Sequence, residues 1–391
     1  MALDLPLVTC LPDDRQRATL VGRVWRPDVG GPSVVAIRGD RVVDLTPIVP
    51  TSAELMGRSD ARAVAREADA EVIGDLAAIL ANSAHDGRDD RHPWFLTPID
   101  LQAIKACGVT FADSMIERVI EEKAKGDASA ADAIRHEIVA AIGTDLSEIT
   151  PGSEAAMQLK AALVERGMWS AYLEVGIGPD AEVFTKAPAM AGVGIGAEVG
   201  LHPISQWNNP EPEITLVINS EGTIVGATLG NDVNLRDVEG RSALLLGKAK
   251  DNNGSAAVGP FIRLFDDGFT LDDVRAAELD LVVEGADGFH LTGHSSMSRI
   301  SRDVADLAAA TIGPHHQYPD GLVLMTGTLF APTKDRGAPG QGFTHHLGDV
   351  VTIRTPTLGA LINRVGRADQ IPPWTFGAGA LMRNLSARGL L

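Results

Sequence analysis

Three carboxylates set the chemistry open to this chain. Glu211 and Glu213 stand two apart in Asn208-Asn-Pro-Glu-Pro-Glu-Ile-Thr-Leu, and Asp232 follows nineteen residues later in GNDVNLRDVEGRS. Residues two apart on a strand share a face, so both glutamates project to one side. A hairpin returning over that length can bring the aspartate beside them. Carboxylates held so close raise one another's pKa unless a cation lies between them. A set offering only oxygen ligands selects a hard cation, Mg²⁺ first, then Mn²⁺ or Ca²⁺, and disfavours zinc. Pro212 between the glutamates predicts an edge position for their strand. The plainer alternative is a solvated acidic strand edge.

Other tempting motifs fail on chemistry. Gly192-Val-Gly194-Ile-Gly196 lacks the third spaced glycine of a dinucleotide fingerprint, and Gly240 to Lys248 has Ala249 where a P-loop needs Ser or Thr. Neighbours on a strand point to opposite faces, so His345-His346 and His315-His316 do not chelate one ion and are expected in loops or at an oligomer interface.

The carboxylates need a scaffold. ITLVI (214–218), the Asn219 to Gly222 turn and TIVGAT (223–228) predict a hairpin, and LDLVV (279–283), LVLMT (322–326) and DVVTI (349–353) predict further strands. Short strands are expected between 18 and 46, helix over 52–84, and a domain boundary at Pro93 to Pro98. Residues 101–166 read as mostly helical, with Gly167 as a C-cap, and 295–313 reads as one helix. Strands outnumber helices after Tyr172 without alternating with them, which predicts an α+β class.

Composition excludes several functions. Thirty-four basic and fifty-two acidic side chains among 391 residues leave a net charge of −18, which repels nucleic acid and anionic membrane. The two cysteines, Cys10 and Cys107, form no CxxC pair and predict a reducing compartment. No long apolar run predicts a membrane span, so a soluble, cytoplasmic protein is expected.

In order, Glu211-x-Glu213, Asp232 with Arg236-Asp237, Lys250, Gly259-Pro-Phe261, Ser295-Ser-Met297, Met325-Thr-Gly-Thr328 and Gly348-Asp349 resemble the catalytic domain of the fumarylacetoacetate hydrolase superfamily. Within it, Tyr172-Leu-Glu-Val-Gly, Glu182-Val-Phe-Thr-Lys186, Asn-Pro-Glu211 and Asp251-Asn-Asn-Gly254 are most similar to the 2-keto-3-deoxy-pentonate (D-arabinonate or D-xylonate) dehydratases. The resemblance implies a mixed β-roll catalytic domain over 98–391, a small N-terminal α/β domain over 1–97, and a helical lid insert at about 113–167. It implies Mg²⁺, with Mn²⁺ as a substitute, on Glu211, Glu213 and Asp232, and a 2-oxo sugar acid chelating that ion. A homo-oligomer, dimer or tetramer, is also implied.

One departure bears on the reaction. Hydrolases of the superfamily carry a Tyr-Ala-Asp-His-x-x-Glu segment that activates water. The corresponding stretch here is Phe111-Ala-Asp-Ser114-Met-Ile-Glu117, with serine in place of histidine. A serine takes no proton at neutral pH without a neighbouring base. Elimination of water is therefore favoured over hydrolysis, with Glu182 and Lys250 as proton carriers in roles left open, and with the Lys250 pKa expected to be depressed by a neighbouring cation. Thr328, Arg236, Lys186, Ser114 and Glu117 are candidate substrate contacts. The alternatives are a hydrolase of acylpyruvates or diketo-deoxy sugar acids, and a non-catalytic metal- or small-molecule-binding protein.

Overall fold

The computed structural model describes residues 3–124, 149–165, 167, 169–329, 334–336 and 342–391. Its main feature is an eleven-stranded mixed sheet. From one edge the order is β4 (Glu71–Asp75), β3 (Arg41–Asp44), β2 (Gly31–Arg38), β1 (Leu20–Arg26), β11 (Ala256–Leu264), β10 (Ile224–Asp232), β9 (Pro212–Ile218), β14 (Leu322–Met325), β6 (Ala103–Gly108) and β7 (Glu182–Ala187). A short β5 (Trp94–Phe95) pairs with β1. Among the described residues, β14 with β6 is the only parallel pairing within this sheet. A second sheet runs β13 (His290–Ser296), β12 (Glu278–Glu284), β15 (Val350–Thr355), β16 (Gly359–Arg367) and β8 (Glu198–Leu201).

Alternation explains how the sheets stack. Leu279, Leu281 and Val283 of β12 are buried while Glu278, Asp280, Val282 and Glu284 between them are less so, so one face of the second sheet is apolar. That face packs with Leu216, Leu229 and Phe261 of β9, β10 and β11, together with Ile353 and Leu361. On the other side of the large sheet, Val217, Val258 and Ile262 pack with Leu55, Met56 and Val64 from the helices Ser52–Gly57 and Ala61–Glu67. Every residue of β9 and β11 is consequently buried. Burying one such Leu or Ile contributes about 1.5–3 kcal/mol.

The predicted hairpin is present as β9 and β10, as are the strands at 279–283, 322–326 and 349–353. Elsewhere the periodicity misleads. The stretch 52–84 contains the strand β4 between short helices. Residues 103–108 form β6 rather than helix. The helix expected over 295–313 is confined to Val304–Thr311, where the Asp303 carboxylate accepts from Ala305 N–H and caps the first turn, and Ser295 and Ser296 end β13.

The N-terminal strands continue the sheet that carries the hairpin. Leu20 pairs with Arg263 and Val21 with Ile262. The Arg263 guanidinium, 1% exposed, donates two 2.7 Å hydrogen bonds to Asp14 and one of 2.8 Å to Thr357 O. A division at residues 97/98 stands as our proposal about folding units.

Three helices cover one end of β6 and β7. Ala112–Ala124, Glu154–Glu165 and Ala171–Ile177 pack through Met115, Val119, Ile120, Ala156, Leu163 and Leu173. Gly167, at φ 68°, donates to Val164 O and ends the second of them. Most of the expected lid insert, residues 125–148, lies outside the described residues, as do the side chains of Ser114 and Glu117.

Candidate metal and catalytic site

The hairpin register assembles the acidic cluster. Pro212 pairs with Asn231 and Glu213 with Gly230. Asp232 therefore falls opposite Glu211, to whose carbonyl its N–H donates at 3.1 Å. Glu213 faces a residue without a side chain, and a Cβ on Gly230 would lie 2.4 Å from Thr215 Oγ1. One oxygen from each of Glu211, Glu213 and Asp232 lies within 4.8 Å of the others. All three residues are buried, at 3%, 1% and 1% exposure, so this is no solvated strand edge.

The predicted edge position for this strand is incorrect. β9 is interior, flanked by β10 and β14. Pro212 is tolerated because it opens the strand and because β14 pairs only from Ile218 to Thr215, so the proline leaves no ladder donor missing on that side.

Cations surround the cluster. Lys250 Nζ lies 2.5 Å from Glu211 Oε2 and 3.2 Å from Asp232 Oδ2. Lys186 Nζ lies 2.7 Å from Asp232 Oδ1 and donates to Val233 O at 2.9 Å and Lys250 O at 2.6 Å. An ammonium has three donors, and these partners use all of them. Lys186 is fully buried and is not among the cavity-lining residues. Its place is behind the site, holding Asp232 and the end of the helix Leu246–Lys250, rather than against a substrate. Gly327, whose φ of 92° suits glycine, donates its N–H to Glu213 Oε2 at 2.5 Å.

Protonation follows from these contacts. Burial raises Glu211, partly offset by Lys250 and Arg118. Burial, Asp232 and Glu211 push Glu213 well above the usual range. Asp232 departs from the expectation of mutual raising: burial acts upward, yet Lys186 and Lys250 prevail and hold it low. The expected depression of Lys250 is also reversed, because Asp232, Glu211 and Glu239 outweigh burial and raise it. Glu182 is pushed up to about 7 by burial first and by Glu239 second.

The cavity in front of the cluster is lined by Glu182, Lys250 and Thr328, and also by Cys107, Gly108, Phe184, Gly327, Arg118 and Glu239. Arg118 reaches in from Ala112–Ala124, pairing with Glu211 Oε1 through Nη2 and with Glu239 Oε2 through Nη1 at 3.2 Å. Arg236 is not part of this lining. It is buried with its guanidinium 4.3 Å from the Trp207 ring centroid, and Asp237 accepts from Ser205 Oγ and Gln206 N–H. His345 is buried against Asp349, and His316 stacks on Tyr318. Neither Arg118, one residue beyond the Phe111–Glu117 segment, nor Glu239, two residues beyond Asp237, carries a local signal that marks it for this cavity.

Among the described residues at the site, Glu182, Glu211, Glu213, Asp232 and Glu239 carry up to five negative charges against the three positive charges of Arg118, Lys186 and Lys250. The surplus equals one divalent cation. The cavity has room for about 20 Å³, the space of a single water or ion. Donor chemistry, charge and size all fit a hard divalent cation on Glu211, Glu213 and Asp232.

A family model for the fumarylacetoacetate (FAA) hydrolase C-terminal domain matches residues 174–366. The match takes in 193 of the 391 residues, just under half of the chain, and the mixed two-sheet fold agrees with it. Among characterised proteins, the chain is similar to a 2-dehydro-3-deoxy-D-arabinonate dehydratase of Saccharolobus solfataricus, 32% identical over 193 residues, covering 49% of this chain and 60% of that one. It is also similar to a probable 2-keto-3-deoxyxylonate dehydratase of Haloferax volcanii, 28% identical over 267 residues, covering 68% of this chain and 86% of that one. The first match spans less than two thirds of its relative. A solved 2-keto-3-deoxy-D-arabinonate dehydratase complexed with magnesium and 2,5-dioxopentanoate superposes with a TM-score of 0.62 at 20% identity, over 89% of this chain and 99% of that one. The fumarylacetoacetate hydrolase of Exiguobacterium antarcticum gives 0.55 at 16% identity, over 90% and 100%. At these identities the likeness is one of fold. Among the described residues no helix is long and apolar enough to cross a membrane.

Proposed function

We propose that the protein is a divalent-metal-dependent dehydratase that converts a 2-keto-3-deoxy-D-pentonate, the D-xylonate or D-arabinonate form, into 2,5-dioxopentanoate and water. One observation carries this reading: a buried three-carboxylate cation site shares its cavity with a carboxyl group poised near neutrality, Glu182. When bound, a Mg²⁺ ion, or Mn²⁺ in its place, would supply Lewis acidity at the carboxylate and keto oxygens of a 2-oxo acid. The names of the relatives support the same substrate class.

The protein's own groups account for the proton transfers. Glu182, ionised in part at neutral pH, takes a C3 hydrogen acidified by the neighbouring carbonyl. Lys250 stays charged and stabilises the negative charge that develops. The C4 hydroxyl leaves with a proton, and the resulting 5-hydroxy-2-oxopent-3-enoate is an isomer of 2,5-dioxopentanoate. It reaches that product by moving hydrogen from C5 and its hydroxyl to C3 and C4. Thr328, in the cavity wall, offers a hydroxyl to the substrate carboxylate. Ser114, where the hydrolases carry histidine, favours elimination over attack by water. We also propose, from the sequence resemblance, a cytoplasmic homo-oligomer.

The test is direct. Purified protein with Mg²⁺ is expected to form 2,5-dioxopentanoate, followed by NMR, from one or both 2-keto-3-deoxy-pentonates and to leave acylpyruvates almost untouched. Rapid acylpyruvate cleavage with no loss of water from either sugar acid would overturn the reading in favour of a hydrolase.

A further inference from the structure

The space directly in front of the carboxylates, about 20 Å³, holds one water or ion, so a 2-keto-3-deoxypentonate, with ten non-hydrogen atoms, must also meet the residues around it. Those lining residues differ in how firmly they are held. Glu213 and Asp232 lie in β9 and β10, Glu211 immediately precedes β9, and all three are buried. Lys250 pairs with Glu211 and Asp232, and its backbone is fixed because its carbonyl accepts from Lys186 Nζ and Ser255 Oγ. Arg118 reaches the cluster on a long side chain from the helix Ala112–Ala124, and one carboxylate it pairs with, Glu211, is also a cation ligand candidate. Glu239, with which it also pairs, lies outside the ligand set.

Those two pairings have opposite fates when a divalent cation arrives. A cation that takes Glu211 competes for the oxygen on which Arg118 rests, and a guanidinium and a divalent cation on one side of a carboxylate repel each other. Glu239 is under no such competition. We propose that Arg118 is a substrate-binding residue engaged by exchange of partners: it occupies Glu211 before cation binding, gives Glu211 up when the cation arrives, and then, anchored by Glu239, pairs with the carboxylate of the incoming 2-oxo acid. The fork of a guanidinium suits both a carboxylate of the protein and one of the substrate. The exchange makes binding ordered, cation first and anion second. The substrate half of this inference rests on the 2-oxo acid reading above; the exchange half does not.

The experiment uses the full-length protein with Mg²⁺ alone and with pyruvate as the probe anion, in wild type, Arg118→Gln and Arg118→Lys. Hydrogen exchange is measured across Ala112–Ala124, and affinities by calorimetry. Mg²⁺ alone should speed exchange in that helix of the wild type, because it loses a tether, and pyruvate should then slow it again. Ordinary stabilisation by a bound ion has the opposite sign. In Arg118→Gln, Mg²⁺ should leave the helix unchanged and bind roughly five-fold tighter, while pyruvate should bind the Mg²⁺ form at least about ten-fold more weakly. Arg118→Lys should recover part of the pyruvate affinity. Slower or unaltered exchange of the wild-type helix on Mg²⁺ addition would overturn the partner exchange. Equal pyruvate affinity in wild type and Arg118→Gln would overturn the substrate contact. Pyruvate binding with no dehydration of either sugar acid would instead tell against the proposed reaction while leaving the exchange standing.

Discussion

At the scale of single residues, the proposed function separates groups that hold charge from one that moves a proton. Glu182, near 7, must be ionised to act as a base, so kcat/KM should rise with pH up to about 7 and fall below it. Glu182→Gln should lower kcat by roughly 10²–10⁴-fold and remove that limb of the profile, with Mg²⁺ affinity little altered. Lys250→Met should reduce turnover by about 10²-fold or more without weakening Mg²⁺ binding, since it removes a competitor for Glu211 and Asp232 and no ligand. Glu213→Ala should weaken Mg²⁺ binding and abolish activity, as calorimetry and assay would both record. The ligand carboxylates were legible in the sequence because strand alternation and hairpin return are local rules. Arg118 and Glu239 were not, since nothing local says that a helix after β6 and a turn after β10 meet over one cavity. The partners that use up Lys186 depend on the same long-range packing.

At the scale of elements, short apolar runs account for the misread segments. Residues 71–75 and 103–108 carry no period that separates strand from helix, and tertiary pairing with β3 and β14 decides them. The β6–β7 pair then does something the sequence did not show. Gly108 lies opposite Glu182, and a Cβ there would come within 2.0 Å of Glu182 Oε2. The glycine therefore leaves the room in which that carboxylate rests. Gly108→Ala is expected to displace Glu182 and lower kcat by at least about ten-fold, with unchanged Mg²⁺ affinity, at a stability cost of about 1–3 kcal/mol. A variant with full turnover would show that Glu182 acts from another position.

At the scale of the whole molecule, one sheet joins the N-terminal strands to the site, and buried charge ties the ends together. Asp14→Ala would strand the Arg263 guanidinium, at a cost on the order of 3 kcal/mol. Calorimetry should show one transition moving to lower temperature, and two separated transitions would mean that residues 1–97 unfold independently. The acidic cavity gives stability an unusual pH dependence. Glu182, Glu211 and Glu213 are all raised in the folded state, so above the unfolded carboxylate range the unfolded chain binds fewer protons and stability falls. For Glu182 the contribution is fully present below about 4.5 and is gone once pH has risen through about 7. The protein without added metal should melt at a higher temperature at pH 5 than at pH 8, and Mg²⁺ should restore much of the loss at pH 8. Equal melting temperatures would contradict the raised carboxylates.

The location of Glu182 has a consequence for how such a protein can change over generations. The cation ligands sit on interior strands, where almost any substitution is felt by two neighbours, whereas β7 is the last strand of its sheet and Arg118 is supplied from a helix beyond it. On the proposed reading, the part that would grip a metal and the parts that would decide what happens to the gripped molecule are thus carried by separate pieces of chain. A lineage can keep the first under strict inheritance and exchange the second, and a protein engineer seeking a new reaction should diversify the edge strand and its covering helices while leaving the hairpin alone.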